Sequence, residues 1–312
     1  MQFRLHSFVS ANIVCPIIIA CARLADADGG SGDDATKSDQ NQTEAHLDRG
    51  IAYCKKQQWD KAISELSEAA QFNSKEISIY NWRGSAYFAK GDLDKAIADF
   101  DYAIGLDPTA VNALFNRAGA YRAKGELDKA LKGFNECLRL NPENAEAYKC
   151  RAATYHEKGN LDRAILDWSE SLRLDPRDST ALAMRGNSYF MKSEFDKALQ
   201  DYHEAIRLDP NNGEAYNNLA WMRATCPKEI MRDGKSAVEA AKKACELTNW
   251  SRSWFVDTLA AAFAEARDFK KAVEFQVRAM RMNDVTDSDR KDMQRCLSLY
   301  QKGLPNHEGQ RR

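Results

Sequence analysis

The sequence predicts an all-α protein in which helical hairpins stack one on the next as an α-solenoid. The first observation is a period of 34 residues that runs without a gap from Thr43 to Asn212. The second is that apolar residues recur at helical spacing in two stretches of every period. The third is a proline near the end of most periods, where it stops a helix and disfavours the α region for the preceding residue.

Five positions of the period keep one kind of side chain. Position 8 is glycine or alanine, position 11 is tyrosine, position 20 is alanine, position 24 is leucine or aromatic, and position 32 is proline in four of the five regular repeats. In the second repeat these residues are Gly84, Tyr87, Ala96, Phe100 and Pro108. The small residues allow two helix backbones to approach closely, and the large residues fill the space beside them. One hairpin cannot bury its own apolar face, so the hairpins must stack.

This pattern resembles the tetratricopeptide repeat, and the resemblance extends over nearly all of the chain after residue 42. It implies a right-handed superhelix of about seven helical hairpins. The sixth hairpin carries a five-residue insertion within residues 225–234, where Pro227 and Gly234 indicate an elongated turn. The predicted units are 43–76, 77–110, 111–144, 145–178, 179–212, 213–252 and 253–285.

Residues 286–303 are predicted to form a final helix that seals the open end of the stack, followed by a tail over residues 304–312. Thr286 and Asp289 have the spacing of an N-terminal capping box. Four apolar residues would form the stripe that faces the last hairpin. They are Met293, Cys296, Leu297 and Tyr300.

Residues 1–27 have the composition of an export signal. Arg4 and His6 precede an apolar stretch from Phe8 to Ala22. The C-terminal units also resemble those of exported bacterial repeat proteins. We therefore expect an exported protein, either periplasmic, secreted or anchored as a lipoprotein; a false signal would leave it cytoplasmic.

Two processing sites fit this N-terminal segment. Ala25-Asp26-Ala27 suits ordinary signal peptidase. Alternatively, residues 18–21 resemble a bacterial lipobox, in which Cys21 would be lipidated and would tether the protein to a membrane. Residues 28–42 are rich in Gly, Asp and Ser, which predicts a flexible linker.

Position 7 is arginine in all five regular repeats, and position 23 is usually acidic. We interpret these residues as partly buried Arg–carboxylate pairs between the two helices of a hairpin. A basic ladder for an anionic ligand is the alternative, but matched acids should neutralise it. The arginines are Arg49, Arg83, Arg117, Arg151 and Arg185, and position 23 holds Glu65, Asp99, Gly133, Asp167 and Asp201.

The sequence contains no motif for catalysis, a cofactor or a metal. Its five histidines lack metal-ligand spacing, and it has no CxxC, P-loop, GxGxxG or GxSxG motif. Outside the repeats no stretch is long enough for a catalytic domain. The formal net charge of −1 argues against a general nucleic-acid binder. We expect a protein that is not an enzyme and has no cofactor.

Eight cysteines would be notable in an exported chain. Cys137 and Cys245 stand at core positions of the repeat and are interpreted as small core residues. Cys137 and Cys150 lie level on adjacent predicted helices. A bridge between them would need unusually close Cα atoms, because neighbouring helix axes are about 8–10 Å apart. The sequence leaves the state of this pair open.

In tetratricopeptide repeat proteins the first helices line a concave groove through positions 2, 5, 6, 9, 12 and 13. Asparagines there can hold main-chain amides, while aromatic rings and methionine offer pockets for side chains. We interpret His156 as a contact residue, not a catalytic base. The carried-over groove candidates are Trp82, Phe88, Phe115, Asn116, Arg122, Lys149, His156, Met184, Asn187, Phe190, Asn217, Asn218, Trp221 and Trp254.

The resemblance implies a scaffold that binds a peptide or an extended segment of a protein partner in this groove. The carboxylate clamp of some relatives is incomplete, because Ala183, Trp254 and Thr258 replace its basic residues. A chaperone-tail co-chaperone is therefore not expected. The alternative function is a cell-envelope assembly or peptidoglycan-associated factor that binds glycan through Trp82, Trp221 and Trp254.

Overall fold

The structure, a computed structural model, describes residues 34–307, with side chains from residue 37 onward. Over this range the chain forms fifteen α-helices, one short 3-10 helix at Glu229–Met231 and no strand, which confirms the predicted all-α class. No helix within these residues is both long and apolar enough to span a bilayer. The predicted export signal and Cys21 lie outside the described residues.

In chain order the helices are α1 Asp34–Lys55, α2 Trp59–Phe72, α3 Ile77–Ala89, α4 Leu93–Leu106, α5 Val111–Ala123, α6 Leu127–Leu140, α7 Ala145–Glu157, α8 Leu161–Leu174, α9 Ser179–Met191, α10 Phe195–Leu208, α11 Gly213–Thr225, α12 Gly234–Leu247, α13 Ser253–Glu265, α14 Phe269–Met280 and α15 Asp287–Gln301.

The chain divides into two compact units, with the boundary between Thr154 and Tyr155 inside α7. In the first unit, helices α1 to α6 form three hairpins, and the second helix of each packs on the first helix of the next. In the second unit, α9 to α14 form three hairpins in the same way, flanked by α8 and by α15. Within each unit the first helices of consecutive hairpins also contact each other. Each unit is therefore a stack of helical hairpins.

The two helices of a hairpin approach most closely at position 8 of the repeat. A Cβ atom added to Gly84 would lie 2.7 Å from the ring of Phe100, and one added to Gly186 would lie 2.7 Å from the ring of Tyr202. Both rings are almost completely buried. The large side chain at position 24 thus occupies the space that the small residue at position 8 leaves empty, as the sequence predicts.

Apart from the elongated turn of the sixth hairpin, the turn inside each described hairpin has one residue in the left-handed region. Gly91 and Gly125 occupy it with φ of 81° and 80°, and glycine is favoured there because it has no Cβ. Gln57, Ser193 and Arg267 stand at the same repeat position in other hairpins, with φ of 56°, 63° and 64°. The hairpin therefore imposes this conformation even where the residue is not glycine.

The insertion in the sixth hairpin forms the predicted elongated turn between α11 and α12. Arg232 in this turn forms an ion pair with Glu265 at the end of α13, with 3.0 Å between Nε and Oε1. His307 contacts the second oxygen of Glu265, with 2.6 Å between Nε2 and Oε2. A Cβ on Gly234 would lie 2.4 Å from the Ala266 backbone nitrogen, so the turn can pass this close only with glycine.

Helix α15 lies within the residues predicted to form the final helix. The Thr286 hydroxyl accepts from the Asp289 backbone N–H, and the Asp289 side chain accepts from the Thr286 backbone N–H, which completes the capping box. The predicted stripe of Met293, Cys296, Leu297 and Tyr300 is buried, and α15 packs on α14.

The predicted flexible linker over residues 28–42 is wrong for residues 34–42, because α1 already begins at Asp34. This stretch contains neither glycine nor proline, and the Thr43 hydroxyl donates to the Asp39 carbonyl oxygen at 2.8 Å. The side chains of residues 37–42 are exposed. A polar composition therefore indicates solvent exposure here but does not exclude a helix that continues beyond its packed part.

Cys137 carries a free, fully buried thiol, so no disulfide joins it to Cys150. Its Sγ donates to the Val111 carbonyl oxygen at 3.3 Å. Burial raises the pKa of both Cys137 and Cys245 to about 12. Both thiols are therefore protonated at neutral pH, which confirms their prediction as core residues.

The close approach at position 8 predicts opposite effects for two glycine substitutions. Gly84→Ala should lower the free energy of unfolding by about 1–3 kcal/mol, because the new methyl group forces the Phe100 ring to move. Gly105→Ala should raise it by about 0.5–1 kcal/mol, because nothing lies within 4 Å of the added Cβ and alanine favours the helix. Denaturant unfolding followed by circular dichroism measures both. Equal effects of the two variants would contradict the role of position 8.

Candidate functional site

The predicted groove residues lie on the first helices of the hairpins, and most are buried. Trp82, Phe115, Asn116, Arg122, His156, Met184, Phe190, Asn217, Asn218 and Trp221 are each at most 9% exposed. The partly exposed candidates are Phe88, Lys149, Asn187 and Trp254. The first unit holds six of the fourteen residues, through Lys149, and the second unit holds the other eight. Their assignment to a peptide groove stays a prediction.

In the first unit, neighbouring first helices are joined by an asparagine pair. Asn116 on α5 donates through Nδ2 to Oδ1 of Asn81 on α3, at 3.0 Å. The two residues stand at positions 6 and 5 of consecutive repeats. The sequence selected Asn116 but not Asn81, although both positions belong to the groove columns.

In the second unit, His156 is held by a neighbouring hydroxyl group. The Ser188 Oγ donates to the Met184 carbonyl oxygen at 3.0 Å and therefore accepts from His156 Nδ1 at 2.9 Å. This contact fixes the orientation of the buried imidazole.

Three first helices of the second unit, α9, α11 and α13, contact each other in sequence. Asn217 on the middle helix α11 is fully buried, and neither its Oδ1 nor its Nδ2 has a hydrogen-bond partner within the described part of the chain. Such a side chain is uncommon, because an unpaired buried amide loses its hydrogen bonds to water without replacement. Asn187 on α9 and Trp254 on α13 are the partly exposed candidates on either side.

The Trp254 indole is oriented by its sequence neighbours. It meets the Phe255 ring edge-on, with ring centroids 5.9 Å apart and an interplanar angle of 87°. The Arg252 guanidinium lies 5.0 Å from the Trp254 ring centroid. The indole therefore has a defined orientation while part of its surface remains accessible.

The position-7 arginines form the predicted pairs inside the hairpins. Arg83 donates to both carboxylate oxygens of Asp99, at 2.8 and 2.7 Å, and Arg185 donates to both oxygens of Asp201, at 2.8 and 2.8 Å. These hydrogen bonds raise the pKa of both arginines above its ordinary value, Arg83 through Asp99 and Arg185 through Asp201. Arg49 pairs with Glu65 in the first hairpin at 2.8 Å.

The same arginines also reach the preceding hairpin, which the sequence interpretation missed. Arg83 donates to Ser67 Oγ at 3.2 Å. Arg117, whose own hairpin has Gly133 at position 23, pairs with Asp101 at 2.6 Å. Both contacts join position 7 of one repeat to position 25 of the repeat before it. An alignment of the repeats shows the polar side chains at position 25, so the sequence contained this signal. The described pairs neutralise Arg49, Arg83, Arg117 and Arg185, which argues against a basic ligand ladder.

Lysines at position 14 form a second set of ion pairs between repeats. Lys124 contacts Asp94 at 2.6 Å, and Lys192 contacts Asp162 at 2.6 Å. A shallow pocket of about 410 Å³ lies beside Lys192 in the second unit. It contains none of the groove candidates, and it is lined by Lys158, Gly159, Asn160, Leu161, Asp162 and Lys192. Within residues 37–307 no cluster of His, Cys, Asp and Glu could hold a metal ion.

Models of known repeat families match this chain. TPR repeat models match residues 50–91, 84–121 and 118–159, and tetratricopeptide repeat models match residues 145–178 and 179–212. Together these matches cover residues 50–212, just over half of the chain. The chain belongs to the tetratricopeptide repeat family. The helices beyond residue 212 continue the same hairpin pattern, and no curated protein matches the chain.

Solved structures of other repeat proteins share this fold. A tetratricopeptide repeat protein from Parabacteroides merdae is 18% identical, with a TM-score of 0.62, and the match covers 84% of this chain and 99% of that one. MamA from Desulfovibrio magneticus RS-1 is 20% identical, with a TM-score of 0.50, covering 58% of this chain and 98% of that one. At these identities the likeness supports the fold alone.

The burial of Asp201 predicts a larger energetic role for the Arg185–Asp201 pair than for the Arg117–Asp101 pair, whose carboxylate is half exposed. The side chain of Asp201 is 7% exposed, against 49% for Asp101. Asp201→Ala should lower the free energy of unfolding by about 2 kcal/mol or more, because it removes two parallel hydrogen bonds to Arg185, where Asp101 accepts one from Arg117. Asp101→Ala should cost less than about 1 kcal/mol. Denaturant unfolding of both variants tests this, and a larger loss for Asp101→Ala would refute it.

Proposed function

We propose that this protein is a non-enzymatic scaffold that binds an extended segment of a partner protein along the first helices of its hairpins. Repeats of this family generally act as interaction scaffolds. The observation that carries the proposal is a pair of partly exposed side chains, Asn187 on α9 and Trp254 on α13, on the two first helices that flank α11. A carboxamide can donate to and accept from one peptide unit at the same time. An extended main chain along these helices would therefore pair with the amide of Asn187, whereas the amide of Asn217 is fully buried and out of its reach.

These two residues suit a polypeptide ligand. Asn187 offers an amide for the main chain, and Trp254 offers an oriented, partly exposed ring for an apolar side chain. The glycan alternative has less support. Trp82 and Trp221 are only 5% and 6% exposed, which leaves Trp254 as the one partly accessible indole of the three.

Peptide selection on the full chain tests this proposal. A displayed random peptide library should yield sequences that bind, and Asn187→Ala and Trp254→Ala should each weaken a selected peptide by about fivefold or more. Asn217→Ala should not lower the free energy of unfolding by more than about 0.5 kcal/mol, because it removes an unsatisfied polar group. Isothermal titration calorimetry and denaturant unfolding measure the two effects.

Leu166→Ala serves as the matched control, because Leu166 is 66% exposed on the second helix α8. It should leave peptide affinity unchanged. Failure to select any peptide, or an equal loss for Leu166→Ala, would sink the proposal. Binding to purified peptidoglycan that depends on Trp254, with no peptide selected, would favour the glycan alternative instead.

We also propose that the protein is exported. The support is the charged and apolar pattern of residues 1–27 and the two processing sites within it. The intact mass of the protein from its native source tests this. A chain that begins at Cys21 and carries a diacylglyceryl group would establish a lipid anchor, and a chain that begins near Asp28 would establish free export. An unprocessed chain in the cytoplasm would contradict export.

A further inference from the structure

The second helix of the seventh hairpin reverses a charge that other repeats keep. In three regular repeats, a glutamate at position 26 and an arginine at position 29 form an ion pair on the exposed surface. These pairs are Glu136–Arg139 at 2.7 Å, Glu170–Arg173 at 2.9 Å and Glu204–Arg207 at 2.6 Å. In the seventh hairpin the same positions hold Arg278 and Arg281. Arg278 thus replaces the glutamate that neutralises the position-29 arginine in those three repeats.

The charge reversal leaves several cations unneutralised on neighbouring helices. Arg278 and Arg281 form no ion pair with any of the described residues, and neither do Lys242 on α12 and Lys270 on α14. All four side chains are exposed. Helix α14 carries three bases and a single acid, Glu274. This part of the second unit is therefore a basic surface in a chain whose net charge is close to zero.

Three aromatic rings from three elements stack beneath these cations. The rings of Phe263 and Phe275 are 5.4 Å apart with an interplanar angle of 15°. The rings of Phe275 and Trp250 are 6.1 Å apart with an angle of 20°. Trp250 comes from the turn between α12 and α13, where Asn249 and Trp250 both have positive φ, of 49° and 60°. This conformation is uncommon for tryptophan, and it places the indole against Phe275.

The rings restrict Arg278 and Lys242 without neutralising them. The Arg278 guanidinium lies 4.6 Å from the Trp250 ring centroid, and Lys242 lies 5.7 Å from the Phe263 centroid. Lys271 lies 5.3 Å from the same Phe263 centroid but is paired with Asp268, with 3.1 Å between Nζ and Oδ2. A cation–π contact restricts a charged side chain while leaving its N–H donors available to an anion. In the third, fourth and fifth repeats the exposed arginine at position 29 is restricted by a carboxylate, which uses those donors.

We propose that this basic aromatic surface, formed by Lys242, Trp250, Phe275 and Arg278, binds an acidic segment of a partner polypeptide. Guanidinium forks match carboxylates in two parallel hydrogen bonds, and the flanking rings can cover the aliphatic part of a glutamate. A membrane-binding surface would instead project apolar side chains into the bilayer. Here the rings face each other. The surface lies mainly on second helices, so it is separate from the candidate groove on the first helices.

The test uses the full chain and a fluorescein-labelled peptide of about ten glutamates, with fluorescence anisotropy as the measurement. The peptide should bind saturably, and the affinity should fall as salt rises, because exposed charges are screened. Arg278→Glu places a carboxylate where other repeats have one, next to Arg281. This variant should weaken binding about tenfold or more. Circular dichroism should show unchanged helix content.

Arg207→Glu is the matched control, because it makes the same charge change on an exposed second helix whose arginine already pairs with Glu204. It should change the affinity less than about twofold. Trp254→Ala should leave binding of the acidic peptide unchanged, which separates this surface from the groove. Absence of saturable binding, or equal losses for Arg278→Glu and Arg207→Glu, would overturn the proposal. Stronger, Arg278-dependent binding to phosphatidylglycerol vesicles than to the peptide would also overturn it, in favour of a lipid surface.

Discussion

The contact between position 8 and position 24 fixes how far apart the two helices of a hairpin lie. Where position 8 is glycine, as at Gly84 and Gly186, even one added carbon would come within 2.7 Å of the opposing ring. In the third repeat position 8 is Ala118, and its methyl group lies 2.7 Å from where a Cβ of Gly133, at position 23, would stand. This hairpin thus keeps the spacing by exchanging small residues between the facing helices. Spacing this close sets the distance over which every other side chain of the hairpin must reach.

The close spacing of the helices explains the geometry of the Arg–carboxylate pairs at positions 7 and 23, which lie beside this contact. With the helices so close, an arginine at position 7 reaches both carboxylate oxygens at position 23 while its stem stays on apolar surface. The remaining guanidinium nitrogen then reaches position 25 of the preceding hairpin, as Arg185 does with Ser169 at 3.2 Å. One side chain therefore fixes both the register inside a hairpin and the register between two hairpins. These contacts use the N–H groups of the arginine and the oxygens of its partners, so those groups are not available to a ligand.

The periodic part of this structure could be predicted from the sequence, because a repeated residue reports the same contact several times. The hairpin windows and the pairing of Arg83 with Asp99 follow from columns of the alignment. The capping box at Thr286 follows instead from its own spacing of a hydroxyl and a carboxylate. Other features that occur once gave no such signal. The extension of α1 to Asp34 depends on the absence of helix breakers and not on packing. The unpaired amide of Asn217 and the stacking of Trp250 on Phe275 depend on where single side chains lie in three dimensions.

In a stack of repeats, function is best sought at positions where one repeat has a different type of residue from the others and packing does not require the difference. The insertion after α11 departs from the period, but Arg232 and His307 both hold Glu265, so its charged groups are used within the fold. Position 26 is different, because its side chain is exposed and does not contribute to the contact between helices. Stacking would tolerate a glutamate or an arginine there equally well. The base at Arg278 and its placement over Trp250 are therefore not explained by the stability of the hairpin, and an interaction with an anionic partner accounts for both.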